Sequence, residues 1–356
     1  MPIPTEPSTW EKVRLGRSSA ESRLLREPIV DAIRAHFKGN GFREVETPLL
    51  VGRPGMEPYL DVFQTRLHTV RGEQHVAYLT TSPEYAMKKL LAAGIGQIFQ
   101  ICKSFRNGEE VSALHNPEFT ILEWYRPRAD YRSLMTDCEA LFQTIARVLA
   151  PDRPDQRLIY QGKRVDLTEP WERLSVHAAF ERYAGVDLNQ SSDLVETAHR
   201  KGYAGTSETT WEQAYHLIFL NEIEPWLGQV KPTILYDYPI GLAALARPSP
   251  TNPSLAERFE LYVAGMELAN AFSELVDPVE QSRRLHAERA ERRQLGKTSY
   301  DVDDDFIRAL SVGMPESAGI ALGVDRLVML FADVPSIRDV LWFPADELFR
   351  APVDDG

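Results

Sequence analysis

Three short segments carry side chains suited to gripping a nucleotide. FRN, Phe105 to Asn107, puts an arginine beside a polar loop, and HNPEF, beginning at His115, returns with Phe119. A guanidinium forks onto phosphate oxygens and an aromatic ring stacks on a base. Far downstream, GIALGVDRLVML runs from Gly319 to Leu330, a glycine-punctuated strand leading into a helix whose first turn holds a second cation, Arg326. Between these segments, Glu260 and Glu267 lie on opposite arms of ERFELYVAG and MELANAF, which turn at Ala264 and Gly265. The common glycine-rich phosphate cradles are absent, both GxxxxGK followed by Ser or Thr and GxGxxG after a strand. Any phosphate would need another way of being held.

The elements that must position these residues alternate or repeat clearly. QIFQICKSFRN and PEFTILEWYRP alternate around the polar loop GEEVSAL and predict a long antiparallel hairpin. The Glu260 and Glu267 arms predict a second one. Apolar positions Leu25, Ile29, Ile33 and Phe37 predict an amphipathic helix from Leu24 to Phe37, and FREVETPLL after it suits an edge strand because Pro48 cannot donate to a ladder. Spacing of three to four predicts further helices over Pro83 to Ala92, Tyr131 to Leu149, Pro278 to Gln294 and Val324 to Phe331. The fold class is α+β, an antiparallel sheet flanked by helices. Residues 1–20 read as a loose N-terminal arm and about 151–231 as an insertion in one catalytic domain spanning 21–356.

Composition bounds the function. With 356 residues, 43% hydrophobic and 26% charged, the chain is neither disordered, collagen-like nor a disulfide scaffold. Its net charge of −12 argues against a surface that grips nucleic acid through many phosphates. The opening MPIPTEPSTWEK lacks the basic start and apolar stretch of a signal peptide, and the expected location is the cytoplasm with no membrane partner. Cys102 and Cys138 sit in apolar-periodic segments, outside any metal-binding spacing, and read as core thiols.

Taken in order, GFREVETP from Gly41 to Pro48, FRN with HNPEF, and GIALGVDR resemble the three signatures of the class II aminoacyl-tRNA synthetases. SPEYAMKKL, EFTILEWY and ERFELYVAGMELANAFSEL are similar to substrate-pocket segments of the lysyl branch. Within that branch, the elongation factor P lysine ligases, truncated paralogs without an anticodon-binding domain, are the better match. Ser82 stands where the synthetases usually have alanine, Ala321 where they usually have glycine, and the first signature begins too early to leave room for an anticodon domain.

The resemblance implies a site and its chemistry. Arg106 and Arg326 would be the catalytic cations, and Arg106, Asn107, Glu109, His115, Asn116, Phe119, Glu260 and Arg326 would contact ATP. Glu260 and Glu267 would hold magnesium bridging its phosphates. Ser82, Glu84, Glu123, Tyr125, Asn270, Phe272, Glu274 and Ala321 would bind the amino acid, their carboxylates favouring a cationic substrate and repelling an acidic one. Gly108 departs from the pattern, since a glutamate that contacts adenine normally follows FRN, and Glu109 is the candidate to take its role. The implied activity is ATP-dependent activation of lysine or (R)-β-lysine and transfer to a lysine side chain of elongation factor P, by a homodimer. Two rivals stand beside it: the same adenylate passed to tRNA or a free amine, and a non-catalytic sensor of amino acid or nucleotide.

Overall fold

The computed structural model describes residues 7–108, 111–152, 157–189, 194–203 and 209–349. The chain divides into two compact units, the first made of Met1–Trp124, Asp277–Met314 and Gly323–Gly356, the second of Tyr125–Val276 and Pro315–Leu322. Among the described residues the strands are β1 (Arg43–Glu44), β2 (Leu50–Val51), β3 (Gln64–His68), β4 (Gln74–Leu79), β5 (Ile98–Phe105), β6 (Glu118–Pro127), β7 (Arg157–Tyr160), β8 (Lys163–Asp166), β9 (Glu172–Ser175), β10 (Thr233–Pro239), β11 (Leu255–Val263), β12 (Met266–Ser273) and β13 (Ser317–Gly323). Eight of them follow the sheet order β1-β5-β6-β13-β12-β11-β10-β9, mostly antiparallel, and β2-β4-β3 form a smaller sheet. This is the α+β arrangement expected. No helix among the described residues is long and apolar enough to cross a membrane.

In the first unit, the helix Arg26–Gly39 buries Ile29, Ile33 and Phe37 of the stripe read from the sequence, with Ala32 beside them, while Leu25 caps its start and is half-buried. Phe37 packs on Phe42, Phe99 and Trp124 at ring separations of 5.0 Å. The chain then enters β1, which pairs in parallel with β5 at the sheet edge. The expected edge strand is shorter than FREVETPLL, because pairing stops before Pro48 and resumes only in β2. The arm expected to be loose carries a helix at Thr9–Arg14, opened by a Ser8–Glu11 capping box, and Thr9 donates through N and Oγ1 to Glu347 at 2.8 and 2.7 Å. An end secured at both cap and side chain does not fray.

In the second unit, Asp130 caps the helix Tyr131–Leu149, accepting from the backbone of Arg132 and Ser133. The β11–β12 hairpin turns through Ala264 at φ 56° and Gly265 at φ 84°, the two left-handed residues of a type I′ turn. The segment expected to be an insertion is not separate. Leu174, Phe180, Tyr215 and Phe219 share one core with Leu235, Tyr238 and Tyr262 of β10 and β11, within the unit that begins at Tyr125. The cysteines fit their reading: Cys138 is buried, and burial followed by the nearby Glu123 charge pushes the Cys102 thiol up to about 12.

Candidate active site

In the first unit the expected nucleotide residues gather at the end of the β5–β6 hairpin. Arg106 is fixed through its backbone N to the Pro117 carbonyl at 2.9 Å, and its guanidinium lies 5.2 Å from the centre of the Phe119 ring. Arg326, in the first turn of the helix Val324–Ala332, donates through Nε to the Leu114 carbonyl and approaches His115 Nε2 with Nη2 at 2.9 Å. The hairpin loop and this helix are thus tied by the arginine itself. Its neighbour Asp325, only 2% exposed, accepts from the Thr120 backbone and from Arg26, which fixes the helix start against β6.

Asn116, expected among the ATP contacts, has its side chain on backbone. Its Oδ1 accepts from the Ala345 backbone at 3.0 Å and its Nδ2 donates to the Glu118 carbonyl at 2.6 Å, so both ends of the amide clasp backbone. Glu109 lies outside the described residues. Gly108 before it has φ 71°, and a Cβ there would stand 3.2 Å from Asp61 Oδ2, so the glycine answers both a left-handed turn and a close neighbour. Asp61 meets Asn107 in an isolated bridge and pairs with Lys297 at 2.9 Å.

The amino-acid residues of this unit cluster at the start of the helix Glu84–Ala92. The Ser82 hydroxyl donates to Glu123, which is 1% exposed, and accepts from the Glu84 backbone at 3.0 Å. The alanine of the synthetases would leave the Glu123 carboxylate without this donor. Glu84 pairs with Lys88 one turn on, and Lys88 is itself buried against the Phe306 ring. Sequence reading missed two further carboxylates beside this cluster. Glu57 and Glu288 have raised pKa values, first from burial. Glu57 is opposed by Arg106 and raised further by Glu84, whereas Glu288 is pushed up to about 9 with the help of Glu57.

In the second unit, register places the remaining residues on one face of the sheet. Glu260 pairs with Asn270, Arg258 with Phe272, Asn270 with Ala321 and Phe272 with Gly319. Strict alternation would put Glu267 on the other face. The pairing shifts between Leu261 and Tyr262, so that Tyr262 faces Glu267 and a bulge at Leu268 returns Glu267 to the side of Glu260. Glu274 is 1% exposed, and a Cβ on Gly319 would stand 2.3 Å from its Oε1 and 2.2 Å from Tyr125 Cε1. Only glycine lets Tyr125 and Glu274 close over β13.

Glu260 is surrounded by donors that the sequence reading did not name. Tyr238 and Tyr262 hydroxyls both donate to its Oε2 at 2.6 Å, and Arg258 donates to Oε1 at 2.6 Å. Arg258 also donates to Asn270 Oδ1 at 3.0 Å and lies 4.5 Å from the Tyr238 ring centre. Burial, then the Glu260 charge, holds both tyrosines well above their usual pKa, so they remain donors. With Oε2 filled, the second lone pair of Oε1 is the direction left for a cation. A hard oxygen set with Glu267 on the same face fits magnesium.

Comparisons with known proteins give the family. The model of tRNA synthetases class II (D, K and N) matches residues 12–347. The chain is 38% identical over 329 residues to a Haemophilus influenzae protein named elongation factor P--(R)-beta-lysine ligase, covering 92% of this chain and 95% of that one. A Salmonella typhimurium protein of the same name is 37% identical over 347 residues, covering 96% and 99%. A lysine--tRNA ligase of Thermosynechococcus vestitus is 38% identical over 324 residues, covering 89% of this chain and 61% of that one.

Proposed function

The chain belongs to the class II tRNA synthetases of the D, K and N type, and from that premise we propose an ATP-dependent ligase that activates (R)-β-lysine, or lysine, as an aminoacyl-adenylate and passes it to a lysine side chain of elongation factor P. The amino-acid carboxylate attacks the α-phosphorus in line. A P–O bond forms as the bond to the β-phosphate breaks, and pyrophosphate leaves. The acceptor amine then attacks the acyl carbon, AMP departs with the bonding pair, and the amine loses its proton to solvent.

No covalent enzyme intermediate is needed, so catalysis is positioning and charge stabilisation. Arg106 steadies the carboxylate and α-phosphate, Phe119 stacks on adenine, and Arg326 with His115 and Asn107 receives the departing phosphates. Glu260 and Glu267 would hold magnesium, which would supply neutralisation of phosphate charge. Glu84, Glu123 and Glu274 favour a substrate carrying ammonium groups, Tyr125 and Phe272 cover its aliphatic stem, and Asn270 orients a polar end.

The observation that carries the lysine-ligase reading over tRNA charging is Ser82, whose hydroxyl feeds the buried Glu123. Incubation with ATP, magnesium and each lysine isomer, with elongation factor P or tRNA as acceptor, tests it by intact mass. A lysyl or β-lysyl mass gain on elongation factor P is expected, and a gain on tRNA alone would reverse the choice.

The family's two-fold assembly belongs to the proposal as well. Leu50 and Leu67 lie on one face of the small β2-β4-β3 sheet and are 44% and 48% exposed, apolar side chains next to the first-signature segment that a second copy would cover. Sedimentation at micromolar concentration should show a dimer, and a species of only 40.4 kDa would remove this part of the reading.

A further inference from the structure

The loop from Gly55 to Asp61 contains no recognised motif, yet it is held as firmly as any part of the first unit. Arg292, 0% exposed, donates to the carbonyls of Glu57 and Leu60 and lies 4.8 Å from the Tyr300 ring centre. Tyr300 donates to the Gly55 carbonyl at 2.7 Å, Met56 N donates to the Tyr85 hydroxyl at 3.1 Å, and Lys297 donates to the Tyr59 carbonyl at 2.8 Å. Asn107 N closes the far end on the Asp61 carbonyl at 2.9 Å. A loop clamped from three directions presents a side chain in a fixed place.

The side chain so presented is Glu57. Its carboxylate folds back on the turn before the helix Glu84–Ala92, accepting from Thr81 Oγ1 at 3.4 Å. Thr81 is 2% exposed and directly precedes Ser82. The charged groups that act on Glu57 include Arg106, Glu84 and Arg292, and Glu288 is near enough to be raised by it. Arg106 marks where the reacting carboxylate and α-phosphate are held, and Glu84 is already assigned to the amino acid. Glu84 is already paired on one side with Lys88, and a second cation between Glu84 and Glu57 relieves the repulsion that the Lys88 pair leaves. Thr81 is the only hydrogen-bond donor to the Glu57 carboxylate among the described residues, which leaves acceptor directions open for one.

Resting on the functional reading above, we infer that Glu57 is a substrate-binding and specificity-determining residue, sharing with Glu84 the substrate ammonium nearest the reacting carboxylate. A lysine isomer carries such an ammonium on the α- or β-carbon. 6-Aminohexanoate has the same length, carboxylate and terminal ammonium but lacks it.

The test is pyrophosphate exchange by the full-length parent and by Glu57→Gln, with (R)-β-lysine, α-lysine and 6-aminohexanoate, together with the KM for ATP. Glu57→Gln should raise KM for the preferred lysine isomer ten-fold or more, while 6-aminohexanoate and ATP change less than two-fold. Equal losses with lysine and 6-aminohexanoate, or no loss with either, overturn the assignment and leave Glu57 a packing residue. If Glu57→Gln does not fold, Glu57→Asp keeps the charge but withdraws it by one methylene, and the same selective loss is expected. A parent that activates no lysine isomer overturns the functional reading along with this inference. A parent that does, with a variant that loses substrates indiscriminately, overturns only the inference.

Discussion

Carboxylates in the two units are treated in opposite ways. In the second unit Glu260 is given everything an anion wants, two tyrosine hydroxyls and an arginine within 2.6 Å. In the first, Glu57, Glu84 and Glu288 are set near one another, and burial together with mutual repulsion raises Glu57 and Glu288. A satisfied anion keeps its charge and direction without any ligand, which suits a group that must meet a metal. A strained cluster is costly when empty and is relieved by a cation, which suits recognition of an ammonium. The difference is between an anion held rigid by its own donors at Glu260 and anions whose mutual repulsion only a cation relieves at Glu57 and Glu288.

The sharpest way to break the comparison is to remove the satisfied anion. Glu260→Ala strands Arg258, whose side chain is 17% exposed, and loss of one partner from a buried pair typically costs about 3–5 kcal/mol. Urea unfolding should show a loss of that order. Glu260→Gln, which can still accept from both tyrosines, should lose less. A loss below about 1 kcal/mol for the alanine variant would mean that the network does not hold the unit together.

Glu274 asks which class a third carboxylate belongs to. It is 1% exposed and closes with Tyr125 over Gly319. If it waits for a substrate ammonium, Glu274→Gln keeps the shape and removes the charge, a change worth about 2–5 kcal/mol for a desolvated pair. Pyrophosphate exchange should collapse while ATP binding survives. Unchanged activation would place Glu274 among the structural anions.

Glu288 sharpens the strained side through pH. Its folded carboxyl, pushed up to about 9 from 4.5, stays protonated while the unfolded one ionises. The native state therefore binds the extra proton across that window, so its stability is full below about 4.5 and is lost as pH rises towards 9, by at most about 1.4 kcal/mol per pH unit. Glu288→Gln mimics the protonated form and should flatten this decline between pH 6 and 8, read from urea midpoints at both. Parallel pH profiles for parent and variant would show that Glu288 is already ionised in the fold and that the cluster is not strained.

Elements with a strong period were legible: the helix Tyr131–Leu149 begins and ends where the apolar spacing does. So was the Ala264–Gly265 turn, because two left-handed residues leave few alternatives. The donors of Glu260 were not, since Tyr238 comes from β10 and reaches Glu260 only through sheet register. Glu267 keeps the company the resemblance expects only because a bulge intervenes, and no alternation pattern marks it. Glu57 escaped because its loop is shaped by Arg292 and Tyr300, more than two hundred residues away, and leaves no local signal. Asn116 shows the converse, a motif residue whose side chain is spent on backbone.

The smallest expected effect concerns the passive-looking side of the sheet. Ala321 pairs with Asn270 and lies two residues after Gly319, on the same face. At Gly319 that face has no room for a Cβ, while at Ala321 a methyl is accommodated and partly exposed. By the resemblance, this methyl meets the reacting end of the amino acid, where it crowds an ammonium on the α-carbon more than one shifted to the β-carbon. A single methyl in a tight site is worth about 1–3 kcal/mol, so Ala321→Gly should raise the specificity constant for α-lysine roughly ten-fold, with a smaller change for β-lysine. Pyrophosphate exchange with both isomers reads this directly. An unchanged ratio would mean that the sheet face only supports its carboxylates, and that isomer choice belongs wholly to the strained cluster of the first unit, where Glu57→Gln should then shift the ratio instead.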